Sequence, residues 1–344
     1  MDTSSPQNLY NTARSLERCG KQEEACRLYL QAMQLAPSHA LSQYRAFKLL
    51  AEQATRAASQ PTCPSHAARE PLPSTPTLSV VICSVDSRKF ASVCSNYRRL
   101  LDGYSYEIVR IHDARSLCEG YNRGFARSRG DIVVFSHDDI EILAPDMAAK
   151  LLDALRDRDI VGVAGSTLFP ASGRWWGFQT GSPHTRGVVA HRAPGEDTYA
   201  LYVFGVGAAV DDGIQVLDGL FFAARREVLE TVEFDARTFD GFHCYDIDFT
   251  YRAFLAGFRI GVSNELAIVH QSRGKFGSEW RSYADRFLAK HRPVRRPTVA
   301  APCFWDMNIA RLRTAAEIVE LSKSLVATAE AARAAHAHSA DRAL

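Results

Sequence analysis

The feature that most constrains the fold is an alternation of short apolar runs with helix-length amphipathic segments over residues 78–164. Residues 78–83, 106–111, 132–135 and 160–164 read as strands, and 92–101, 116–129 and 145–156 as helices between them. The third run, Ile132 to Phe135, is apolar throughout, the pattern of a strand buried on both faces, and 78–83 reads as a buried strand too. Gly130 stops the second helix, and Pro145 suits the first turn of the third. A β-α-β-α-β-α-β order implies a parallel sheet with right-handed crossovers. Ligands of such a sheet bind at the carboxyl ends of its strands. No GxGxxG follows the first strand, so a dinucleotide site is not expected.

The third strand runs straight into His137-Asp138-Asp139. Two adjacent carboxylates at a strand end repel each other unless a cation or strong donors neutralise them. Oxygen ligands suit Mg²⁺ or Mn²⁺. The bland alternative is a solvated acidic turn.

The alternation breaks over 168–216, an irregular stretch rich in Gly, His, Trp and Arg. Long irregular insertions are more often functional than not. Trp175, Trp176 and Phe178, with His184, offer aromatic faces to a ligand or apolar acceptor, or pack under the loop. Arg186, His191 and Arg192 are further acceptor candidates. Residues 216–224 then read as a strand holding Asp218-Gly219, 225–231 as a short helix, 246–256 as a helix closed by Gly257, and 258–262 and 267–270 as strands. Asp246 and Asp248 stand two apart at that helix start and do not share a face. One can reach a site as a general base; the other caps or faces solvent. His270 ends a strand and is either structural or a metal ligand. Arg273 and Lys275, between glycines, suit a loop that clamps a diphosphate, or a basic surface turn. Trp280 has the same ambiguity as the earlier tryptophans.

The flanks differ in character. Residues 8–56 read as helical, with Gly20 at a turn and a second amphipathic stretch at 41–54. Five prolines mark 58–77 as a linker, and 307–344 read as an Ala-rich, mostly helical tail suited to docking or self-association. The domains expected are 1–57 helical, 58–77 linker, 78–300 catalytic and 301–344 helical tail.

Composition excludes several classes. The chain of 344 residues is 46% hydrophobic and 23% charged, which is globular rather than disordered. A net charge of +2 without basic–aromatic interleaving gives no support for nucleic-acid binding. The eight cysteines form no CxxC pair, as expected of reduced thiols in a cytoplasmic protein. Neither a signal peptide nor an apolar run long enough to span a membrane is evident.

Taken in order, strand–His112-Asp113, Asn122-Arg123-Gly124, His137-Asp138-Asp139, Asp218-Gly219, Tyr245-Asp246-Ile247-Asp248 and His270 resemble a family 2 glycosyltransferase of the GT-A type. The resemblance leans to the branch with a streptomycin-biosynthesis-type glycosyltransferase domain and covers roughly 78–291. Residues Leu9, Leu16, Ala25, Tyr29, Ala32 and Pro37 are separately similar to a tetratricopeptide helix pair, either a protein-docking surface or a cap. The family resemblance implies an α/β, GT-A, mostly parallel sheet flanked by helices, and an inverting transfer from a nucleoside-diphosphate sugar with Mn²⁺ or Mg²⁺. It implies donor contacts at Ser84, Asp86, Asp113, Asn122, His137 and Asp138, with Arg273 and Lys275. It implies a metal at Asp139 and His270, and Asp246 as general base. Acceptor contacts are expected at Trp175, Trp176, Asp218, Asp248 and Trp280. His137 stands where the family's first Asp is usual, and Tyr245 where a Glu is usual. The acceptor (glycan, lipid-linked sugar, protein or small molecule) stays open, as does a homo-oligomer. The alternatives are a non-catalytic adapter with a degenerate transferase domain and a sugar nucleotidyltransferase. The second would need a Gly-rich loop after strand one, and Ser84-Val85-Asp86-Ser87-Arg88-Lys89 has no glycine.

Overall fold

A computed structural model describes residues 5–35, 42, 70–168, 184–193, 195, 197–272, 277–291 and 307–341. Its centre is a seven-stranded sheet in the order β2-β1-β3-β11-β5-β12-β9. β1 (Leu78–Cys83), β2 (Tyr106–Ile111) and β3 (Ile132–Ser136) run parallel, connected through α3 (Ser87–Leu100) and α4 (Leu117–Arg127). Each helix has a cap that fixes its start. The Asp86 carboxylate accepts from the Arg88 and Lys89 amides at the head of α3, and Ser116 Oγ accepts from Glu119 N at the head of α4. Gly124 lets α4 lie against β1, because a Cβ there would come within 2.2 Å of Val81.

The sheet is more mixed than the alternation suggests. β4 (Ile140–Ile142) leaves for a second sheet, α5 (Met147–Asp157) follows, and β5 (Ile160–Gly162) returns. β11 (Phe221–Arg225) then inserts antiparallel between β3 and β5, and β12 (Ile260–Ser263) runs parallel to β5. The pairing Phe221↔Ser136 brings the residues just before β11 to the carboxyl end of β3.

The second sheet has the order β10-β6-β7-β13-β4, with β8 and β14 continuing from β7. It holds β6 (Ala164–Ser166), β7 (Thr185–Arg192), β8 (Tyr199–Gly205), β10 (Val216–Leu217), β13 (Ile268–His270) and β14 (Met307–Leu312); the two-residue β9 (Val210–Asp211) edges the first sheet. β13 pairs antiparallel with β4, which sets His270 opposite Ile140, and parallel with β7, which sets it opposite His191.

Two apolar cores follow from this layout. The larger lies between the first sheet and its helices and includes a cluster of rings in which Phe234 stacks on Phe249 and meets Phe135 edge-on, while Phe135 packs tilted on Phe222. The smaller joins the second sheet (Val188, Leu201, Val203, Val269) to Ala13 of α1 (Pro6–Arg18), to Ala25, Cys26 and Tyr29 of α2 (Gln22–Leu35), and to Ile318 and Leu325 of α9 (Ala315–Asp341). The N-terminal helices therefore bury a face in the body of the protein.

The α/β reading and the N-terminal helix pair with its turn at Gly20 hold. Four expectations change. The described part of 168–216 is largely strand, not irregular. The run 160–164 splits into β5 and β6, and 216–224 splits into β10 and β11 around Asp218-Gly219-Leu220. The tail begins as β14 paired with β8 before turning helical. The stretch 41–54 lies, apart from Ser42, outside the described residues.

Candidate functional site

The carboxyl end of β3 carries the site. Parallel pairing of β1 with β3 ends both strands together, so Ser84 meets the residues after Ser136. Ser84 Oγ donates to Asp138 Oδ2 at 2.7 Å. The chain then turns into β4, and the β4–β13 ladder draws His270 alongside: Gln271 N donates to the Asp139 carbonyl at 2.9 Å. His270 Nε2 lies 3.3 Å from Asp139 Oδ1, and His137 Nδ1 lies 4.0 Å from the same oxygen. His137, Asp139 and His270 each offer one ligand atom, all within 4.8 Å of one another. Imidazole and carboxylate donors at this spacing fit a divalent first-row metal. Burial alone would raise the Asp139 carboxyl, but His270 and Ser272 hold it well below the usual carboxylate range. Burial, and then the neighbouring His270, lower His137.

The second part of the site is the N-terminus of α7 (Tyr245–Leu255). Cys244, just before it, sits in the left-handed region at φ 60°, a strained conformation that turns the chain into the helix. Gly219, in the turn between β10 and β11, is the contact point with this helix. Its amide donates to Asp246 Oδ2 at 2.8 Å and its carbonyl accepts from the Tyr245 hydroxyl at 3.1 Å. A Cβ on Gly219 would lie 2.1 Å from that hydroxyl oxygen, so only glycine fits. The Tyr245 hydroxyl also lies 2.9 Å from His137 Nε2, tying α7 to the histidine–carboxylate cluster. Burial, and then the nearby Asp218 carboxylate, push Asp246 up to about 7, against the Gly219 and Ile247 amides that lower it. A half-buried carboxyl titrating there can take a proton at neutral pH.

Of the other residues singled out in the sequence, some gather here and some do not. Asp218 lies beside Asp246 and accepts from Leu220 N. Asp86 caps α3 at the rim, and Asp113 is exposed and paired with Arg123 at 2.6 Å. The Asn122 side-chain amide is bound on both sides to the Phe234 backbone. The fully buried Asp248 carboxylate accepts from Arg252, Lys290 and His291, away from the cluster. Trp280 is buried in the larger core on α8 (Ser278–His291). Arg186 pairs with Asp211 in the interior, His184 meets Thr167, and Arg192 pairs with Asp197 at the surface. Trp175, Trp176, Phe178, Arg273 and Lys275 lie outside the described residues.

Sequence reasoning missed Lys89. Its ammonium stands 3.9 Å from Asp138 and 3.8 Å from Asp139, brought there by the first turn of α3. A basic residue three positions after the Asp86 cap was the available signal. His191 was seen only as an acceptor candidate; its ring lies 5.3 Å from that of His270. Among the described residues no disulfide forms.

The strand ends of the α/β sheet thus bring a histidine–carboxylate cluster beside a carboxyl whose pKa is raised. The glycosyltransferase-like family matches residues 79–291, more than half of the chain, and the chain belongs to that family. Its family domain makes it a glycosyltransferase. Among solved structures it is similar to a mannosyltransferase from Pyrobaculum calidifontis in complex with GDP-Man and Mn²⁺, at 15% identity and TM-score 0.43, covering 90% of this chain and 87% of that one. It is also similar to the glucosyl-3-phosphoglycerate synthase of Mycobacterium tuberculosis in complex with phosphoglyceric acid, at 17% identity and TM-score 0.36, covering 69% and 89%. No curated protein sequence matches the chain. Among the described residues no helix is long and apolar enough to cross a membrane.

Proposed function

We propose that the protein is an inverting, metal-dependent glycosyltransferase that moves a sugar from a nucleoside-diphosphate sugar to an acceptor hydroxyl, with Asp246 as general base. The observation that carries this reading is the continuous link Asp246–Gly219–Tyr245–His137, which fixes a proton acceptor beside a metal-competent cluster. Asp139 and His270, with His137, would hold the ion. A bound Mn²⁺ or Mg²⁺ would stabilise charge developing on the departing diphosphate.

The chain's own residues do the rest. Ser84 fixes the Asp138 carboxylate through its hydroxyl, keeping the β1 and β3 ends in register where the nucleotide would lie. Lys89 neutralises the paired carboxylates. Asp86 and Asp113 line the same edge of the sheet as base and ribose contacts. Asp246 accepts the acceptor's proton as its oxygen attacks the sugar carbon and the bond to the diphosphate breaks. Inversion is one displacement, so no enzyme nucleophile is needed. Arg273 and Lys275 would clamp the diphosphate, and Trp175 and Trp176 would face the acceptor.

We read the catalytic domain as 78–300, of the streptomycin-biosynthesis-type branch. The tetratricopeptide-like pair at the N-terminus serves as a cap, a reading supported by the burial of Ala13, Ala25 and Tyr29 against the second sheet. The test is a nucleotide-release screen of UDP- and GDP-sugars with Mn²⁺, followed by mass spectrometry of modified acceptors. Release with one donor, lost in Asp246→Asn, is expected; no release with any donor contradicts the reading.

A further inference from the structure

His137 occupies a position where two carboxylate oxygens would be the simpler choice for Mg²⁺, and its two ring nitrogens see different surroundings. Nε2 lies 2.9 Å from the Tyr245 hydroxyl oxygen. That hydroxyl has a single hydrogen, and the Gly219 carbonyl oxygen 3.1 Å away can only accept it. The hydroxyl therefore donates to Gly219 and accepts from His137, so Nε2 carries the ring proton. The reverse arrangement would turn the hydroxyl lone pairs onto a carbonyl oxygen. Nδ1 of the neutral ring then keeps its lone pair. It faces Asp139 Oδ1 at 4.0 Å, too far for a hydrogen bond that would draw the proton to that side. Tyr245 has little freedom to break this pattern. Gly219 abuts its hydroxyl, and the Tyr121 ring meets it edge-on at 5.6 Å.

We propose that Tyr245 is a positioning residue that holds His137 in its Nε2–H form, presenting Nδ1 beside Asp139 and His270 as the third donor of a two-imidazole, one-carboxylate site that prefers a first-row transition ion to Mg²⁺. This rests on the metal-dependent reading above and narrows it. Mg²⁺ favours oxygen ligands in strict octahedral geometry, whereas imidazole suits the transition ions. A partner that fixes the tautomer of a ligating histidine tunes the affinity of the whole site.

The test needs no turnover. The metal-free full chain, labelled with ¹⁵N-histidine, is examined by NMR for ring nitrogen shifts, with the His137 signals assigned by their loss in His137→Asp. Mn²⁺, Zn²⁺ and Mg²⁺ are then titrated calorimetrically into wild type, Tyr245→Phe and His137→Asp. The expected results are an Nε2–H ring in wild type and Mn²⁺ binding weakened about 10-fold or more in Tyr245→Phe. His137→Asp should narrow the preference for Mn²⁺ over Mg²⁺. An Nδ1–H ring in wild type overturns the proposal, as does unchanged Mn²⁺ affinity in folded Tyr245→Phe. If Tyr245→Phe does not fold, the wild-type tautomer and His137→Asp decide. Mg²⁺ binding as tight as Mn²⁺ overturns the inference alone, whereas absence of any divalent-ion binding overturns the metal-dependent reading beneath it.

Discussion

On the proposed mechanism, Asp246 is the residue on which the chemistry turns. Its carboxyl is lifted from an ordinary value near 3.8 to about 7, first by burial and then by Asp218. Because the folded value lies above the unfolded one, protonation favours the fold. The stabilisation is complete below about pH 4 and is lost as pH rises through about 7. Activity runs the other way, since a general base works only when deprotonated. The logarithm of kcat/KM should rise with slope one up to about pH 7 and level off above it, and a pH–rate profile flat from pH 5 to 8 would exclude Asp246 as the base. Asp246→Asn should lower kcat by about 10²-fold or more with donor binding kept. The parity of Asp246 and Asp248 was legible in the sequence, because residues two apart on a helix diverge. Which of the two enters the site was not. That depends on Lys290 and His291, some forty residues downstream, which claim Asp248. His137 read as a departure from a family pattern, and its link to Tyr245 needed the fold to bring β3 and α7 together.

Among the elements, α7 is the one whose placement is over-determined. Its buried Asp248 binds Arg252 on the same helix and Lys290 and His291 on α8. Removing one partner of a buried charge network costs about 3–5 kcal/mol, because the others are left uncompensated. Asp248→Ala should therefore lower stability by about 3 kcal/mol in denaturant unfolding, with a larger loss than at exposed pairs such as Arg192–Asp197. Gly219→Ala should displace Tyr245 and Asp246 together, reducing kcat more than it reduces stability. β1 and β3 were legible because they are mostly apolar and buried on both faces. β7 and β8 were not: they lie beside a Gly- and Arg-rich stretch, and Gly187 adopts φ 121° with a Cβ-free approach to Val163. β14 was read as helix because Met307-Asn308-Ile309-Ala310-Arg311-Leu312 has apolar residues at spacings both periods allow, and only its pairing with β8 decides.

At the scale of the whole molecule, the two sheets divide the work. On the proposed reading the first carries the nucleotide edge, while the second delivers His270 to Asp139 through β13. The smaller core that backs the second sheet is completed by α1, α2 and α9, elements far apart in sequence. Deleting residues 1–35 should uncover Val188, Leu201 and Val203 and lower Tm by about 5 °C or more in a thermal melt. An unchanged Tm would mean that the helices are a separable docking module. Single-sequence periodicity detected those helices but not what they cover, because the face of a helix names its apolar stripe and not its partner. The central claim is that the histidine–carboxylate cluster holds the donor through a metal while Asp246 stands apart as the base. Calorimetric titration of UDP- and GDP-sugars with and without Mn²⁺ tests it most directly. Donor binding should require Mn²⁺ in wild type and in Asp246→Asn and vanish in Asp139→Ala; equal binding without the ion, or an undiminished Mn²⁺ requirement in Asp139→Ala, would contradict it.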